Sequence, residues 1–253
     1  MLSFFTEYFM HKTTIIIFFI MLAAFTFAQT EENFNVALNI TGDGIVITKY
    51  TGTAAHVVIP AIIQGFPVRE IGERAFGGGL LDQNHTIISV VIPQGVTKIG
   101  KSAFQYAKNL SSLTIPEGVT VIDAWAFSST GLTEILLPQS LTEISNDVFM
   151  YCSSLATVML PAKLIKIGSQ AFWGCTALTN ITLPASIKEI SYGVFANCSN
   201  LATVTIPESV GKIVFESPII YGIKLSDYTF EKCPKLTLAS QAVLRRVGYT
   251  GTF

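Results

Sequence analysis

Apolar residues recur along this chain at fixed distances from a series of prolines. The prolines are Pro60, Pro93, Pro116, Pro138, Pro161, Pro184 and Pro207, and the last six are 23, 22, 23, 23 and 23 residues apart. Apolar side chains stand six, three and one residues before each of these six prolines, and three and six residues after it. A phenylalanine stands eleven residues after most of them. The chain is therefore a tandem array of short, similar units.

The local pattern within one unit predicts its elements. Apolar and polar residues alternate just before the proline, which predicts a short strand that pairs in parallel with its neighbours. Proline lacks the N–H that a ladder needs, so it marks the end of that strand. A second extended piece, such as residues 96–99, and a helical or 3₁₀ turn that buries the phenylalanine should follow.

This combination predicts a leucine-rich-repeat solenoid, a curved array of short parallel β-strands with about seven repeats of 22–23 residues. One unit buries too few side chains to offset the cost of ordering its backbone, so stability must come from neighbouring units. We therefore expect an N-terminal cap over residues 29–52, the array over 53–236 and a helical C-terminal cap over 237–253.

Three departures interrupt the period. Extra residues fall near 77–86 and near 214–227, and the unit that holds residues 128–131 is one residue short. Loops inserted in a solenoid project from one face, so either insertion is a candidate binding or capping element.

Two polar columns of the repeat have a structural interpretation. The position five residues after the proline holds Lys98, Val121, Glu143, Lys166, Glu189 and Lys212. Alternating charges on adjacent strands would oppose a slipped register. The four cysteines, Cys152, Cys175, Cys198 and Cys233, all stand three residues after the phenylalanine, where other units hold Ala107 or Thr130. We interpret them as buried thiols and not as a disulfide framework.

The N-terminal segment is typical of an export signal. Residues 13–27 form an apolar run after His11 and Lys12, and residues 26–28 suit cleavage after Ala28. We predict a signal peptide over residues 1–28, with Met10 as an alternative start. The protein would then be secreted or held at the cell surface, with the periplasm as an alternative, and would have no stable membrane span after cleavage.

Composition and motifs argue against several classes of function. A formal net charge of −1 offers no basic field for nucleic acid. Outside the predicted signal peptide the histidines are His56 and His85, and no catalytic, phosphate-binding or metal-binding motif surrounds them. The sequence therefore predicts a protein that is not an enzyme and that needs no cofactor and no metal.

The unit from Leu178 to Cys198, Leu-Thr-Asn-Ile-Thr-Leu-Pro-Ala-Ser-Ile-Lys-Glu-Ile-Ser-Tyr-Gly-Val-Phe-Ala-Asn-Cys, resembles the BspA-like, Treponema-pallidum-type leucine-rich repeat. The opening at residues 44–72 is similar to the first repeat of that family, and the resemblance covers residues 42–236. It implies a secreted or surface-displayed binding protein. Several members of the family are adhesins for extracellular-matrix proteins, epithelial cells or other bacteria. No catalytic residue is implied.

Strand geometry predicts one candidate surface on the outward positions of the pre-proline strands. Leu136 and Met159 should stack there as an exposed apolar centre among polar neighbours, an arrangement that suits a protein partner. We therefore predict an adhesin that binds an extracellular matrix or cell-surface protein. The predicted protein-binding residues are Glu134, Leu136, Thr157, Met159, Asn180 and Thr182.

A second candidate surface follows the aromatic residues near the buried phenylalanines. Exposed aromatic side chains suit sugars, so the alternative prediction is a glycan-binding or envelope-structural module. The residues of this aromatic edge are Tyr106, Trp125, Tyr151, Trp173 and Tyr192.

Overall fold

The computed structural model describes residues 30–77, 86–215 and 228–253, and the backbone of residues 219–220 and 223–224. The predicted signal peptide and most of both insertions lie outside these residues. A 3₁₀ turn, Glu31–Asn33, precedes the first strand, and the described part of the chain then holds nineteen strands and one α-helix. The elements are β1 (Phe34–Leu38), β2 (Ile45–Tyr50), β3 (His56–Val58), β4 (Ile62–Ile63), β5 (Phe66–Ile71), β6 (Ser89–Val91), β7 (Lys98–Ile99), β8 (Ser112–Thr114), β9 (Val121–Ile122), β10 (Glu134–Leu136), β11 (Glu143–Ile144), β12 (Thr157–Met159), β13 (Lys166–Ile167), β14 (Asn180–Thr182), β15 (Glu189–Ile190), β16 (Thr203–Thr205), β17 (Val214–Phe215), β18 (Ile219–Ile220), β19 (Ile223–Lys224) and α1 (Leu238–Arg246).

Seven strands, one before each repeat proline, form one side of a solenoid. They are β3, β6, β8, β10, β12, β14 and β16, and they pair in parallel within three short sheets, β3–β6–β8, β10–β12 and β14–β16. The register follows the sequence period, with Ile135 beside Val158 and Ile181 beside Val204. The middle residue of each strand points inward because side chains alternate along a strand. This parallel solenoid confirms the predicted fold class.

The second extended piece of each unit forms another side of the solenoid. Strands β5, β7 and β9 pair in parallel in one sheet, and β11, β13, β15 and β17 pair in a second. The predicted alternation of charge is present from Glu143 through Lys166 to Glu189, which lie on adjacent strands. Lys166 and Glu189 form an ion pair.

The last of these strands departs from the predicted column. Lys212 should have stood beside Glu189, but Val214 occupies that place and Phe215 lies beside Ile190. The C-terminal tail explains the shift, because the Ile213 N–H donates to the Val247 carbonyl at 2.8 Å and Phe215 packs edge-on against Tyr249. The prediction for Lys212 is therefore wrong.

Tight turns carry each buried phenylalanine into the core. In the unit of Phe104, i→i+3 hydrogen bonds join Ala103 to Gly100, Gln105 to Ser102 and Ala107 to Phe104. Residues two before and two after the phenylalanine have positive φ, 55° at Ser102 and 64° at Tyr106. Left-handed residues cannot propagate an α-helix, so the turns remain separate. From Phe76 to Phe195, the N–H of each buried phenylalanine then donates to a carbonyl of the next unit, as from Phe104 to the Ala126 carbonyl at 2.8 Å.

One aromatic column runs through the core of the whole array. Neighbouring rings from Tyr50 to Phe230 are offset-stacked with centroids 4.9 to 5.5 Å apart, close to the spacing of paired strands. Phe34 covers the column at the N-terminal end, and Tyr249 turns its ring by 84° against Phe230 at the other. The stacked rings are Tyr50, Phe76, Phe104, Phe127, Phe149, Phe172, Phe195 and Phe230.

Different elements cover the two ends of the array. At the N-terminal end an antiparallel hairpin, β1–β2, joins its inner strand in parallel to β5. At the C-terminal end helix α1 is capped by Thr237, whose hydroxyl accepts from the Ser240 N–H. Arg246 then donates to the carbonyls of Pro207 and Val210, which lie in the last full unit.

The unit that is one residue short closes through Gly131. A β-carbon at this position would lie 2.2 Å from the Lys108 carbonyl oxygen, a distance that no side chain could tolerate. The deletion thus brings two backbones together, and glycine is the residue that permits it. Within the part that the structure describes, no strand ladder joins this unit, which carries β8 and β9, to the following unit, which carries β10 and β11.

Candidate binding surfaces

The strand face, defined here as the outward residues of β10, β12 and β14, contains the six residues predicted to bind a protein. All six are exposed. Glu134 lies beside Thr157 and Leu136 lies beside Met159 in the ladder of β10 and β12. Asn180 and Thr182 continue the same two rows on β14, the next pre-proline strand. The ladder of β10 and β12 therefore pairs four of the six residues in two rows, and β14, which belongs to the next sheet with β16, carries the other two at the same positions of the repeat.

Leu136 and Met159 form the apolar part of the strand face. Their exposed fractions are 47% and 42%, although Ile135, which precedes Leu136 on β10, is buried. The strand backbones that carry them are fixed by ladder hydrogen bonds, so the two side chains keep their relative positions. Earlier in the array the matching positions, Val58, Val91 and Thr114, are only half-exposed. The exposed apolar pair thus belongs to the middle of the array.

The five residues of the aromatic edge differ in their surroundings. Tyr151 is exposed and the other four are half-buried. The Lys101 ammonium lies 5.1 Å from the Trp125 ring centroid, where it makes a cation–π contact. Tyr192 contacts Tyr228 edge-on at 5.7 Å. Tyr106 stands in a left-handed turn position, with φ of 64°. The five side chains therefore do not form one continuous aromatic strip.

Tyr151 and Trp173 share a different arrangement, because each ring lies over a glycine of the next unit. A β-carbon on Gly174 would lie 2.7 Å from Cδ1 of Tyr151, and one on Gly193 would lie 3.1 Å from Cε3 and Cζ3 of Trp173. Both glycines have positive φ, 72° and 65°. The sequence indicates these two close contacts, because other units have larger residues, such as Tyr151 or Gln170, at the positions that Gly174 and Gly193 occupy.

The four cysteines are free and buried, which confirms the interpretation of the thiol column. All four thiols donate to the carbonyl of the phenylalanine one unit earlier. Examples are Cys175 to Phe149 at 3.2 Å and Cys198 to Phe172 at 3.1 Å. Burial raises the pKa of Cys152 to about 11 and that of Cys233 to about 12. The thiols therefore stay protonated and unreactive at neutral pH.

Other titratable groups of the described residues do not form a reactive cluster. Burial raises the pKa of Asp147, which lies in a turn of the array. His56 and Ser89 are joined through Nδ1 and Oγ at 2.8 Å on the exposed side of β3 and β6. Over residues 30–77, 86–215 and 228–253, no group of three His, Cys, Asp or Glu side chains has the arrangement to hold a metal ion.

Comparison with known proteins defines the class and then the family. The parallel solenoid with its repeated phenylalanine and cysteine columns is a leucine-rich-repeat protein. The chain matches the BspA type leucine rich repeat region in six copies, over residues 69–202 and 144–241, and it belongs to that family. A comparison with curated protein sequences gives no significant match.

Solved structures agree with the family assignment. The leucine-rich repeat protein of T. pallidum is 33% identical, with a TM-score of 0.78 over 90% of this chain and 99% of that chain. A leucine rich cell surface protein of Faecalibacterium prausnitzii A2-165 is 31% identical, with a TM-score of 0.54 over 78% of this chain and 57% of that one. A leucine-rich repeat protein of Bacteroides ovatus ATCC 8483, 21% identical with a TM-score of 0.54 over 83% of this chain and 70% of that one, shares the fold.

Proposed function

We propose that this protein is an exported, non-enzymatic adhesin whose strand face binds a protein of the extracellular matrix or of another cell surface. Membership of a repeat family that is typical of protein–protein interaction supports the proposal that this protein binds another protein. The composition of the strand face supports its assignment as the binding surface. The observation that carries it is the exposed pair of Leu136 and Met159 on a rigid parallel ladder.

The chemistry of the strand face suits a protein partner. Leu136 and Met159 are already about half buried, so a partner that covers the rest of each side chain supplies a favourable term of about 1 kcal/mol per side chain. Glu134, Thr157, Asn180 and Thr182 surround the pair with groups that accept or donate hydrogen bonds. An apolar centre inside a polar rim is the usual composition of a protein interface.

Export is supported by the sequence at the N-terminus and by one relative. The apolar run of residues 13–27 has the length of a signal peptide core. The similar protein of F. prausnitzii is a cell surface protein. Within the described residues no helix has the length and apolar character required to cross a bilayer. These observations favour a secreted or surface-held protein, with the periplasm as the alternative.

The test is binding of the purified protein to immobilised fibronectin, fibrinogen and laminin, measured alongside the double variant Leu136→Ala with Met159→Ala. Saturable binding that weakens by about tenfold or more in the double variant is the expected result, because each decade corresponds to about 1.4 kcal/mol. A second variant, Thr157→Arg, should block the same face sterically.

A matched control carries the same chemistry on another side of the solenoid. Val121 and Ile165 are also exposed apolar residues, each 40% exposed, near the post-proline strands. Val121→Ala with Ile165→Ala should bind like the parent protein. Equal losses in both double variants, or binding that neither Leu136→Ala with Met159→Ala nor Thr157→Arg affects, would count against the strand face. The envelope-structural role remains a prediction of the sequence.

A further inference from the structure

The turn face, defined here as residues 145–151, 168–174 and 191–197, is a nearly uncharged part of the surface. Asp147 is the one ionisable acid or base other than tyrosine in these three segments, and it is buried. The accessible polar groups are the hydroxyls and amides of Ser145, Asn146, Ser169, Gln170 and Asn197. Charged residues bound this region in sequence, with Asp123 before it, Glu231 after it, and Glu143, Lys166 and Glu189 two residues before its three segments.

Two aromatic rings are held in place on the turn face. Tyr151 is 54% exposed and its ring edge lies over Gly174, while the six-membered ring of Trp173 lies over Gly193. The Cγ of Gln170 also borders the Gly193 position, so the Trp173 ring and the Gln170 side chain are neighbours. The Tyr151 N–H donates to the Trp173 carbonyl at 2.7 Å, which fixes the two turns against each other.

From this geometry we infer that the turn face is a second binding site, for a neutral oligosaccharide. Aromatic rings attract the apolar C–H face of a pyranose through their negative π-surface, and amide and hydroxyl groups bond its ring hydroxyls. Rings already fixed by the fold lose little conformational freedom when a ligand binds. Accessible charge is absent within these three segments, so they offer no cationic partner to sialylated or sulfated sugars. The site is independent of the strand face.

The remaining aromatic residues do not join this site. Trp125 already carries the Lys101 ammonium over its ring. Tyr192 is engaged edge-on with Tyr228. Tyr106 lies outside the three segments of the turn face. The inference therefore narrows the five aromatic residues to Tyr151 and Trp173, with Gln170 as the amide side chain beside the Trp173 ring.

The two tryptophans of the chain give a direct experiment, because one lies on the turn face and the other does not. Trp125→Phe leaves Trp173 as the single tryptophan, and Trp173→Phe leaves Trp125. A glycan array that contains neutral, sialylated and sulfated oligosaccharides first identifies a bound neutral glycan. Titration of that glycan should shift the emission of Trp173 and protect it from acrylamide, and should leave the emission of Trp125 unchanged.

Affinity measurements on alanine variants complete the test. Tyr151→Ala and Trp173→Ala should each weaken glycan binding by about tenfold, whereas Trp125→Ala and the double variant Leu136→Ala with Met159→Ala should not change it. Circular dichroism of each variant checks that the solenoid is intact. The inference is overturned if the array shows no neutral glycan bound, if charged glycans alone bind, or if the emission of Trp125 responds in place of Trp173. None of these results bears on matrix-protein binding by the strand face.

Discussion

The interior and the surface of this solenoid follow different rules. Inside, the same ring recurs at each step, so that Phe149 has a phenylalanine on either side at 5.5 and 5.3 Å. Outside, the residue two after that phenylalanine is tyrosine in one unit, glycine in the next and Asn197 in the one after. Interior positions have their neighbours as packing partners, and surface positions have solvent. The regular interior holds the array together, and the irregular surface is where specific recognition can develop.

Removal of one interior ring should have the largest effect. Phe149→Ala would leave a cavity between Phe127 and Phe172, and we expect a loss of about 3 to 5 kcal/mol in the free energy of unfolding by urea. Tyr151→Ala, two residues away on the surface, should change that free energy by less than about 0.5 kcal/mol. Similar losses in the two variants would contradict the contrast between interior and surface.

The thiol column should make the interior sensitive to alkaline pH. Burial raises the pKa of Cys152 from 9.0 to about 11. The unfolded chain therefore loses this proton first, so the contribution is fully present below about pH 9 and is lost as pH rises through about 11. Over this range the free energy of unfolding should fall by about 2 to 3 kcal/mol more in the parent protein than in Cys152→Ala. Parallel pH profiles would show that this thiol is accessible to solvent.

A substitution at the close backbone contact of the short unit should have a smaller effect on stability. Gly131→Ala places a β-carbon against the Lys108 carbonyl, and we expect a loss of about 1 to 3 kcal/mol, measured by thermal and urea unfolding. Gly211 is a suitable control, because a β-carbon there would meet nothing within 4 Å. If Gly211→Ala proved as damaging as Gly131→Ala, the close approach at Lys108 would not be the cause.

The smallest effect should come from the partly exposed ion pair. Lys166→Gln removes the attraction to Glu189 and should cost about 0.2 to 1 kcal/mol at low salt, with a smaller difference at high salt. Lys163→Gln is the matched control, because none of the ion pairs within the described ranges includes Lys163. A cost independent of salt would indicate that the Lys166 side chain stabilises through packing.

Much of the fold could be predicted because each unit repeats the same information. The period predicted the parallel register, and the proline predicted the end of the strand. The position of Cys198 relative to Phe195 predicted a buried thiol. The candidate site could be predicted in part, since alternation along β10 and β12 places Leu136 and Met159 outward. Lys212 was misplaced because its strand position depends on contacts with a C-terminal tail that lies outside the period.

The sequence by itself determined the solenoid, its register and the column of rings, because these depend on residues at a fixed spacing. The tertiary structure decided which surface aromatic residues are available. Lys101 reaches the Trp125 ring from the preceding unit, and Gly193 makes room for Trp173 from the following one. Such contacts join residues of adjacent units on the turn face, and the identity of each partner varies from unit to unit. Their geometry therefore depends on how the units stack and on the left-handed turns beside each buried ring, which the period alone does not specify.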